Sequence, residues 1–312
     1  MEPALANLEV FAASLLELAR KDSDLLVVTS DSRGSAKLAA FAKAAPGQIV
    51  EVGIAEQNLV GIAAGLSAAG KNVFAVSPAC FLTARSLEQI KNDVCYSDRP
   101  VSVIGISAGV SYGALGTTHH SLHDFAVLRA IHNITIVAPA DNFETREAIK
   151  AAARSRTPAY LRFGKKTMPH LTRVVNGFEL GKASLVRLGK DVTFIACGET
   201  VAPALAAADS LARDGIESRV ISMHTIKPLD EATVLQAAME TRGVITVEEH
   251  SVHGGLGEAC ASLLLQTGLH TRFKIVGFPD DHTVNGSQVE IFQHYGIDGP
   301  GLAATAKKLI AS

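Results

Sequence analysis

A carboxylate at the start of an unusually apolar helix is the first feature of the sequence that could do chemistry. Glu56 follows Gly53-Ile54-Ala55, and residues 59–66 are all small or aliphatic. A helix without a polar face is buried. Burial favours the neutral form of a carboxyl group, whereas a helix N-terminus favours the charged form. Glu56 could therefore share a proton with a ring nitrogen, or it could simply complement the helix dipole.

Possible metal ligands or proton carriers follow a glycine-rich stretch. Residues 105–116 contain no G-x-G-x-x-G pattern and do not predict a dinucleotide-binding loop. His119 and His123 are four residues apart, Asp124 is adjacent, and on a helix they could face one metal ion. The preceding Gly116-Thr117-Thr118 is typical of a loop. We therefore expect one useful histidine on a loop, and no metal site.

An aromatic side chain lies at a predicted strand-to-helix turn. Phe81 follows Pro78-Ala79-Cys80. It is either a core aromatic or a flat apolar face for a heteroaromatic ring, and its place beyond the end of a strand allows both.

The elements that position these residues alternate regularly. Apolar runs and amphipathic stretches follow each other along the chain, which predicts α/β architecture with two doubly wound domains. The first half has predicted strands at 25–29, 73–76, 101–106, 134–138 and 160–163, and predicted helices at 8–20, 56–69, 82–95, 122–131 and 142–153. The second half has predicted strands at 192–196, 218–222, 244–247 and 273–276, and predicted helices at 201–213, 232–241 and 255–266.

The alternation stops at residues 164–181, which we interpret as a connection. The predicted domains are 1–168 and 182–312, with a linker at 169–181. Ligands of open α/β sheets bind beyond the carboxyl ends of the strands. We therefore expect one composite site, built from the loops at 30–36, 52–58 and 105–124 and from the segment around Arg162.

Composition excludes several classes of function. The 312 residues include 29 Lys and Arg and 31 Asp and Glu, a net charge of −2. This charge predicts no nucleic-acid partner and no membrane surface. Four scattered cysteines without a C-x-x-C pair predict buried thiols in a reducing compartment. With no signal-peptide pattern and no apolar run of spanning length, we expect a cytoplasmic protein.

Three segments taken together resemble the transketolase family of thiamine diphosphate enzymes: residues 53–58, 81–89 and 118–124. The resemblance covers nearly the whole chain and implies a pyrimidine-binding domain followed by a transketolase C-terminal domain. Supporting stretches are 31–35, 137–141, 224–230, 247–257 and 277–280.

One family motif does not occur. The sequence has no G-D-G followed some thirty residues later by Asn, the family's pattern for binding diphosphate and metal. The chain therefore resembles the C-terminal subunit of a split transketolase. The resemblance implies a smaller partner subunit that holds the diphosphate and Mg²⁺, a shared thiamine diphosphate, an α2β2 assembly and self-association through both domains.

The resemblance also implies roles for individual residues. Glu56 matches the glutamate that contacts the aminopyrimidine ring, Phe81 the aromatic that stacks on it, and Ile54 a neighbouring cofactor contact. His119 matches the histidine that contacts the two-carbon unit and moves protons. The implied substrate-binding residues, which hold the sugar phosphate or its two-carbon unit, are Arg33, Ser35, His119 and Arg162.

Four positions depart from the family pattern. Leu115 stands where the family has an aspartate that contacts a substrate hydroxyl, and Ser107 where it has a phosphate-binding histidine. Leu8 lies close to the place of an expected arginine, and Ala84 replaces a second ring-packing aromatic. Loss of a hydroxyl contact changes selectivity strongly. The donor and acceptor therefore stay open, with branched, deoxy or sulfonated sugars among the candidates.

The function predicted from the resemblance is transfer of a two-carbon ketol unit from a ketose donor to an aldose acceptor, with a partner subunit. The alternatives are a deoxyxylulose phosphate synthase-like or 2-oxo acid dehydrogenase E1 β-like subunit, a regulatory subunit without turnover, and a metallohydrolase. In the second half we expect solvated polar residues at a dimer seam, namely Glu248, Glu249, His250 and His253, and a turn at Lys227-Pro228.

Overall fold

The computed structural model describes residues 4–175 and 177–311, and its strands form two sheets. The strands are β1 Leu25–Thr29, β2 Ile49–Glu51, β3 Asn72–Pro78, β4 Val101–Ile106, β5 Thr135–Val137, β6 Ala159–Arg162, β7 Ser184–Arg187, β8 Val192–Ala196, β9 Ser218–Ser222, β10 Thr225–Lys227, β11 Gly243–Ser251 and β12 Arg272–Phe278.

Helices cover both sheets. They are α1 Asn7–Ala19, α2 Ala39–Ala44, α3 Glu56–Ala68, α4 Ala79–Arg85, α5 Leu87–Gln89, α6 Asp124–Arg129, α7 Asn142–Arg154, α8 Val201–Arg213, α9 Glu231–Glu240, α10 Leu256–Gln266, α11 Gln288–His294 and α12 Gly299–Ala311. The helix predicted at 82–95 is instead divided into α4, α5 and a π-helical turn, Ile90–Tyr96.

The sheet topology confirms the predicted class of two doubly wound α/β layers. The first sheet has the order β10-β5-β6-β4-β3-β1-β2, and the second has the order β12-β11-β8-β9-β7. Pairing is parallel except at two edges, where β10 runs against β5 and β7 against β9. The carboxyl ends of β1, β2, β3, β4 and β6 therefore meet at one edge of the first sheet, where the composite site was expected.

Strand β10 joins the two halves. It belongs to the second half by sequence but pairs with β5 of the first sheet, and Lys227 is its last residue. The chain bends at Pro228, after this strand. Strand β10 therefore places residues 225–227 of the second half in the sheet of the first half. The predicted domain boundaries stay a prediction.

Buried side chains hold the two halves together. One core packs Phe11, Phe41 and Phe74 between the first sheet and α1 and α7. The core on the other face of this sheet continues into the second half through Ile195 and Val244. The four cysteines, Cys80, Cys95, Cys197 and Cys260, are buried and unpaired, as the sequence predicted. Within the described ranges, every helix is too short or too polar to cross a bilayer.

The predicted linker is anchored rather than loose. Arg173 is buried, and its guanidinium contacts Asp141 at 2.8 Å and Glu144 at 3.1 Å. The backbone N–H of Leu171 also donates to Asp141. The N-terminus of α7 thus fixes the segment that leads into the second half.

Candidate functional site

Two of the expected loops are joined by one carboxylate. Glu51 ends β2, and its Oε1 accepts hydrogen bonds from the backbone N–H of Asp31 at 2.6 Å and of Gly53 at 3.1 Å. Its Oε2 lies 3.3 Å from Arg33 Nε. Ser35 is half-buried in the same loop and donates to Ser32 O at 3.1 Å. The predicted substrate residues Arg33 and Ser35 thus lie on the loop next to Gly53–Glu56.

Glu56 begins α3 and is only 4% exposed. The helix packs closely on the first sheet through small residues, and the Glu56 side chain in its first turn is therefore buried. Both carboxylate oxygens accept from one guanidinium nitrogen of Arg85, at 3.1 and 3.2 Å. The buried carboxylate is thus satisfied by a cation whose own side chain is 51% exposed.

Phe81 and His119 lie beside this ion pair. Arg85 places its guanidinium carbon 4.4 Å from the centre of the Phe81 ring. On another side of that ring, His119 meets Phe81 edge to face, with centroids 5.4 Å apart. The structure thus brings together Glu56, Phe81 and His119, three residues that were predicted from separate segments.

Two pockets border Arg85. The first has a volume of about 860 Å³ and is lined by Ile54, Ala55, Glu56, Gln57, Asn58 and Arg85. The second, of about 390 Å³, is lined by Cys80, Phe81, Ala84, Arg85, Thr117, Thr118, His120, Leu122 and His123. Ile54 is 74% exposed at the rim of the first pocket. We call Ile54, Glu56, Phe81, Arg85, Tyr112 and His119 the open face.

His119 is held between two aromatic rings. The rings of Tyr112 and Phe81 each meet the imidazole edge to face, with ring centroids 5.4 Å apart in both pairs. Its Nδ1 is 3.0 Å from Thr118 Oγ1. Lys165 places its ammonium 4.0 Å from the centre of the Tyr112 ring. Partial burial of its ammonium group lowers the pKa of Lys165, and the charge of Lys37 adds to this effect.

The neighbouring histidines serve the loop. His120 Nε2 lies 2.9 Å from Gly113 O, and His123 Nε2 lies 3.2 Å from Thr83 Oγ1 on α4. Asp124 is directed into the interior instead. Across residues 4–175 and 177–311, no three His, Cys, Asp or Glu side chains are grouped as metal ligands.

Arg162 is buried beneath the loop that carries His119, and the substrate-binding role predicted for it stays a prediction. Its side chain is 5% exposed, and Nε donates to Asp124 Oδ2 at 2.8 Å. A terminal nitrogen donates to the carbonyls of Ser121 and Glu249, and Tyr160 donates to the same Asp124 oxygen. These bonds to the protein leave Arg162 as an anchor between the halves, at the base of the loop that carries His119.

The polar residues at the end of strand β11 and just after it also differ from their prediction as solvated groups: Glu248, Glu249 and His250 lie within the strand, and His253 follows it. Glu248, Glu249 and His250 are buried between the halves, and only His253 is exposed. Glu248 accepts from the backbone N–H groups of Leu256 and Gly257 at 2.7 and 2.8 Å. Glu248, Glu249 and His250 therefore lie in the interior of a single chain. The predicted self-association stays a prediction.

Glu249 and Glu199 share one donor. Gln288 Nε2 donates to Glu249 at 2.8 Å and to Glu199 at 2.6 Å, and Glu249 also accepts from the backbone N–H of Val110. Burial raises the pKa of Glu249 to about 8, and Glu199 adds to the rise. Two carboxyl groups in one buried place favour sharing a proton. We call Asp124, Tyr160, Arg162, Glu199, Glu249 and Gln288 the domain seam.

The four departures from the family pattern lie in different surroundings. Leu115 is 57% exposed at the end of the 3-10 turn Gly113–Leu115, and Ala84 is exposed on α4. Leu8 and Ser107 are buried. Leu115, beside the loop of His119, and Ala84, which lines a pocket next to Arg85, are therefore the departures placed to affect a ligand.

Arg85, Tyr112 and Lys165 were not predicted from the sequence as site residues, but they lie close to Glu56, Phe81 and His119. Arg85 lies within the segment 81–89 that pointed to Phe81, and its spacing of four residues from Phe81 on a helix was the available signal. Lys165 follows Arg162 by three residues, and the basic pair 165–166 was visible at a strand end.

Comparison with known proteins identifies the family of the chain. The family model described as transketolase, pyrimidine binding domain, matches residues 4–170, and that of the transketolase C-terminal domain matches 181–302. A subunit of the apulose-4-phosphate transketolase of Phocaeicola vulgatus is 48% identical over 301 residues, 96% of each chain. The 6-deoxy-6-sulfo-D-fructose transketolase subunit SqwH of a Clostridium species is 38% identical, over 82% of this chain and 80% of the relative.

Solved structures and longer relatives extend the comparison. A structure described as a split gene transketolase, inactive beta4 tetramer, has a TM-score of 0.87 at 35% identity and covers 99% of both chains. A 1-deoxy-D-xylulose-5-phosphate synthase of Heliobacterium modesticaldum is 34% identical over 96% of this chain, which spans 46% of that enzyme. The chain belongs to the transketolase family, and it consists of a pyrimidine-binding domain followed by a transketolase C-terminal domain.

Proposed function

We propose that this chain is the pyrimidine-binding subunit of a two-chain, thiamine diphosphate-dependent transketolase. The observation that carries the proposal is the convergence of a buried carboxylate, a half-exposed aromatic ring and a histidine at one open edge of the first sheet. These are Glu56, Phe81 and His119. The four unpaired thiols favour a cytoplasmic complex.

The open face fits the aminopyrimidine end of the cofactor. Glu56 offers a carboxylate at the edge of an open pocket, and Phe81 offers a ring face next to it. Together they match a flat heteroaromatic ring with polar nitrogens at its rim. When bound, thiamine diphosphate supplies the nucleophilic carbon and the electron sink for breaking and forming a C–C bond.

The chain's own residues orient the reactants and move protons. Glu56 holds a proton at a ring nitrogen, and the closely packed first turn of α3 fixes its position. His119 faces the two-carbon unit, because Phe81 and Tyr112 restrict its ring from two sides. An imidazole there exchanges protons with substrate hydroxyls.

A partner subunit completes the site. The pocket beside Glu56 is open, and the exposed Ile54 offers an apolar contact at its rim. We propose that a smaller subunit binds there, holds the diphosphate and Mg²⁺, and forms an α2β2 assembly with this chain. Two relatives are named as single subunits of apulose-4-phosphate transketolases, which supports a two-chain enzyme.

The substrate is a sugar with an acidic group and a non-standard carbon skeleton. Lys165 and Lys37, with Ser35 and Arg33 on the same loop as Lys37, provide cations and a hydroxyl for a phosphate or similar anion. The exposed Leu115 gives an apolar surface where an aspartate would bind a hydroxyl. Relatives named for apulose 4-phosphate and for a sulfonated fructose support this substrate class.

The decisive experiment is a coupled ketol-transfer assay. This chain is assayed alone and with a diphosphate-binding chain from the same genome, with thiamine diphosphate, Mg²⁺ and a panel of ketose donors. We expect turnover only with both chains, and at least a hundredfold loss for Glu56→Gln, because a neutral amide cannot exchange the proton. An exposed control, Glu231→Gln, should retain full activity.

The same assay separates the alternatives. Pyruvate with glyceraldehyde 3-phosphate tests the synthase-like chemistry suggested by the longer relatives. Turnover with pyruvate but with no ketose would reject ketol transfer. An assembled pair that binds no thiamine diphosphate, or a Glu56→Gln variant as active as the parent, would reject the proposed function altogether.

A further inference from the structure

Arg85 contacts both of the groups that the proposed function assigns to the aminopyrimidine. One guanidinium nitrogen donates to the two oxygens of Glu56 at 3.1 and 3.2 Å. The guanidinium carbon lies 4.4 Å from the centre of the Phe81 ring. Arg85 also lines both pockets at the open face.

A guanidinium and a protonated aminopyrimidine present the same features to such a pair. Both are planar, have a flat face that stacks on an aromatic ring, and direct N–H groups outward in the plane toward a carboxylate. A carboxylate beside an aromatic face therefore recognises either one. In this structure the occupant of that position is the side chain of Arg85.

We propose that Arg85 occupies the aminopyrimidine position in the unassembled chain and leaves it when the cofactor binds. This inference rests on the proposed function, since it takes Glu56 and Phe81 as the ring's partners. Arg85 keeps the buried carboxylate paired until then, because an unpaired buried carboxylate would be strongly unfavourable.

The position of Arg85 allows the exchange. It is the last residue of the seven-residue helix α4, and its side chain is 51% exposed. The guanidinium can therefore turn into solvent, where its charge is well hydrated. Glu56, by contrast, is fixed in the buried first turn of α3. The movable partner of the ion pair is Arg85.

Competition with Arg85 predicts a specific binding result. Thiamine binding to the isolated chain must first break the Glu56–Arg85 contact. Arg85→Met keeps a long side chain but removes the charge and the donors. We expect Arg85→Met to bind thiamine about three to ten times more tightly than the parent, as for loss of one half-exposed ion pair. Arg85→Lys, which keeps the charge but not the flat face, should lie between them.

The experiment is isothermal titration of thiamine into the isolated chain. It compares the parent, Arg85→Met, Arg85→Lys and the control Arg213→Met, which removes an exposed arginine at the end of α8. The exchange is supported if Arg85→Met binds most tightly, Arg85→Lys lies between it and the parent, and Arg213→Met matches the parent. Binding that is unchanged or weaker in Arg85→Met overturns it, since Arg85 would then be a bystander or a lasting partner of the ring.

The assembled pair keeps the test decisive if the isolated chain binds thiamine too weakly to measure. Thiamine diphosphate with Mg²⁺ is then titrated into the pair that contains each variant, with the same expected order. A pair that binds the cofactor without tightening in Arg85→Met rejects the role of Arg85 only. A pair that binds none in the parent and none in Arg85→Met rejects the proposed function as well as the inference.

Discussion

The open face and the domain seam contain the same kinds of residue in opposite surroundings. Each has an arginine paired with a carboxylate and stacked on a phenylalanine: Arg85 with Glu56 and Phe81, and Arg162 with Asp124 and Phe125. In the seam both ionic side chains are buried, at 5% and 0% exposure. In the open face the arginine is half exposed.

The difference in exposure separates an ion pair that stabilises the fold from one that leaves room for a ligand. In the seam, Arg162 donates to the backbone carbonyls of Ser121 and Glu249, and Tyr160 donates to Asp124, so the pair joins the two halves. In the open face, a half-exposed arginine and an adjacent pocket leave room for another molecule. The seam supports the loop that carries His119, while the open face is where we propose that the chemistry takes place.

The largest effect should come from breaking the ion pair of the seam. Arg162→Met leaves Asp124 charged and buried, which destabilises a protein by about 3–5 kcal/mol. Urea denaturation of the isolated chain measures the free energy of unfolding. The control Arg187→Met removes a more exposed ion pair with Asp209 and should cost about 1 kcal/mol or less. A stable Arg162→Met variant with only a raised KM would instead support the predicted substrate-binding role of Arg162.

In the open face, His119→Ala should reduce turnover without affecting the fold. Loss of a positioned proton carrier lowers kcat by about a hundredfold or more, while the half-exposed ring contributes little to the core. The measurement is kcat of the assembled pair, alongside the thermal unfolding midpoint of the chain. His253→Ala, an exposed histidine of the second half, serves as the control. A comparable loss in both variants would contradict the assignment.

The order of strands and helices was easier to predict from the sequence than the burial of charged side chains. Repeating apolar runs gave the order of strands and helices, because strands covered on both faces must be apolar. Glu56, Phe81 and His119 were singled out from helix composition and a set of motifs, and the structure places them together. Strand β10 was missed, since three residues that pair with another half of the chain leave no local pattern.

Burial of charged residues was the part that sequence could not predict. Arg162 and Glu249 have the residue types of a binding site, and only the packing of the two halves makes them internal. Arg85 is the opposite case. An arginine in the last turn of a helix is typically solvated, yet Arg85 pairs with the buried Glu56. Which face of an element meets another domain is decided by contacts between residues far apart in the chain.

The pH dependence of stability should distinguish the seam from the surface. Burial raises the pKa of Glu249 to about 8, above the value of about 4.3 in an unfolded chain. The folded state therefore keeps a proton that the unfolded state has released, and the free energy of unfolding falls as pH rises from about 5 to about 8. We expect a decrease of about 1–3 kcal/mol. In Glu249→Gln the decrease should be smaller, whereas Glu231→Gln should match the parent.

A smaller effect should come from the cation near His119. Lys165→Met removes a charge that is placed for the acidic group of the substrate, so KM for the ketose donor should rise about tenfold with little change in kcat. Stability should stay within about 0.5 kcal/mol, since Lys165 is exposed. Steady-state kinetics of the pair measures both constants. A parallel loss in Arg162→Met, without loss of stability, would remove the distinction between the two cations.

The smallest effect tests whether the two regions are coupled. Thr83 lies on α4 with Phe81 and Arg85, and its hydroxyl is 3.2 Å from Nε2 of His123, the residue before Asp124 of the seam. Thr83→Val should lower kcat/KM about threefold, because it removes the hydroxyl that contacts His123 Nε2 and also donates to Ala79 O at 2.7 Å. The matched control is Thr145→Val, whose hydroxyl has no hydrogen-bond partner within the described ranges. Because valine keeps the shape of threonine at both places, equal kinetics in the two variants would mean that the seam supports the loop without positioning α4.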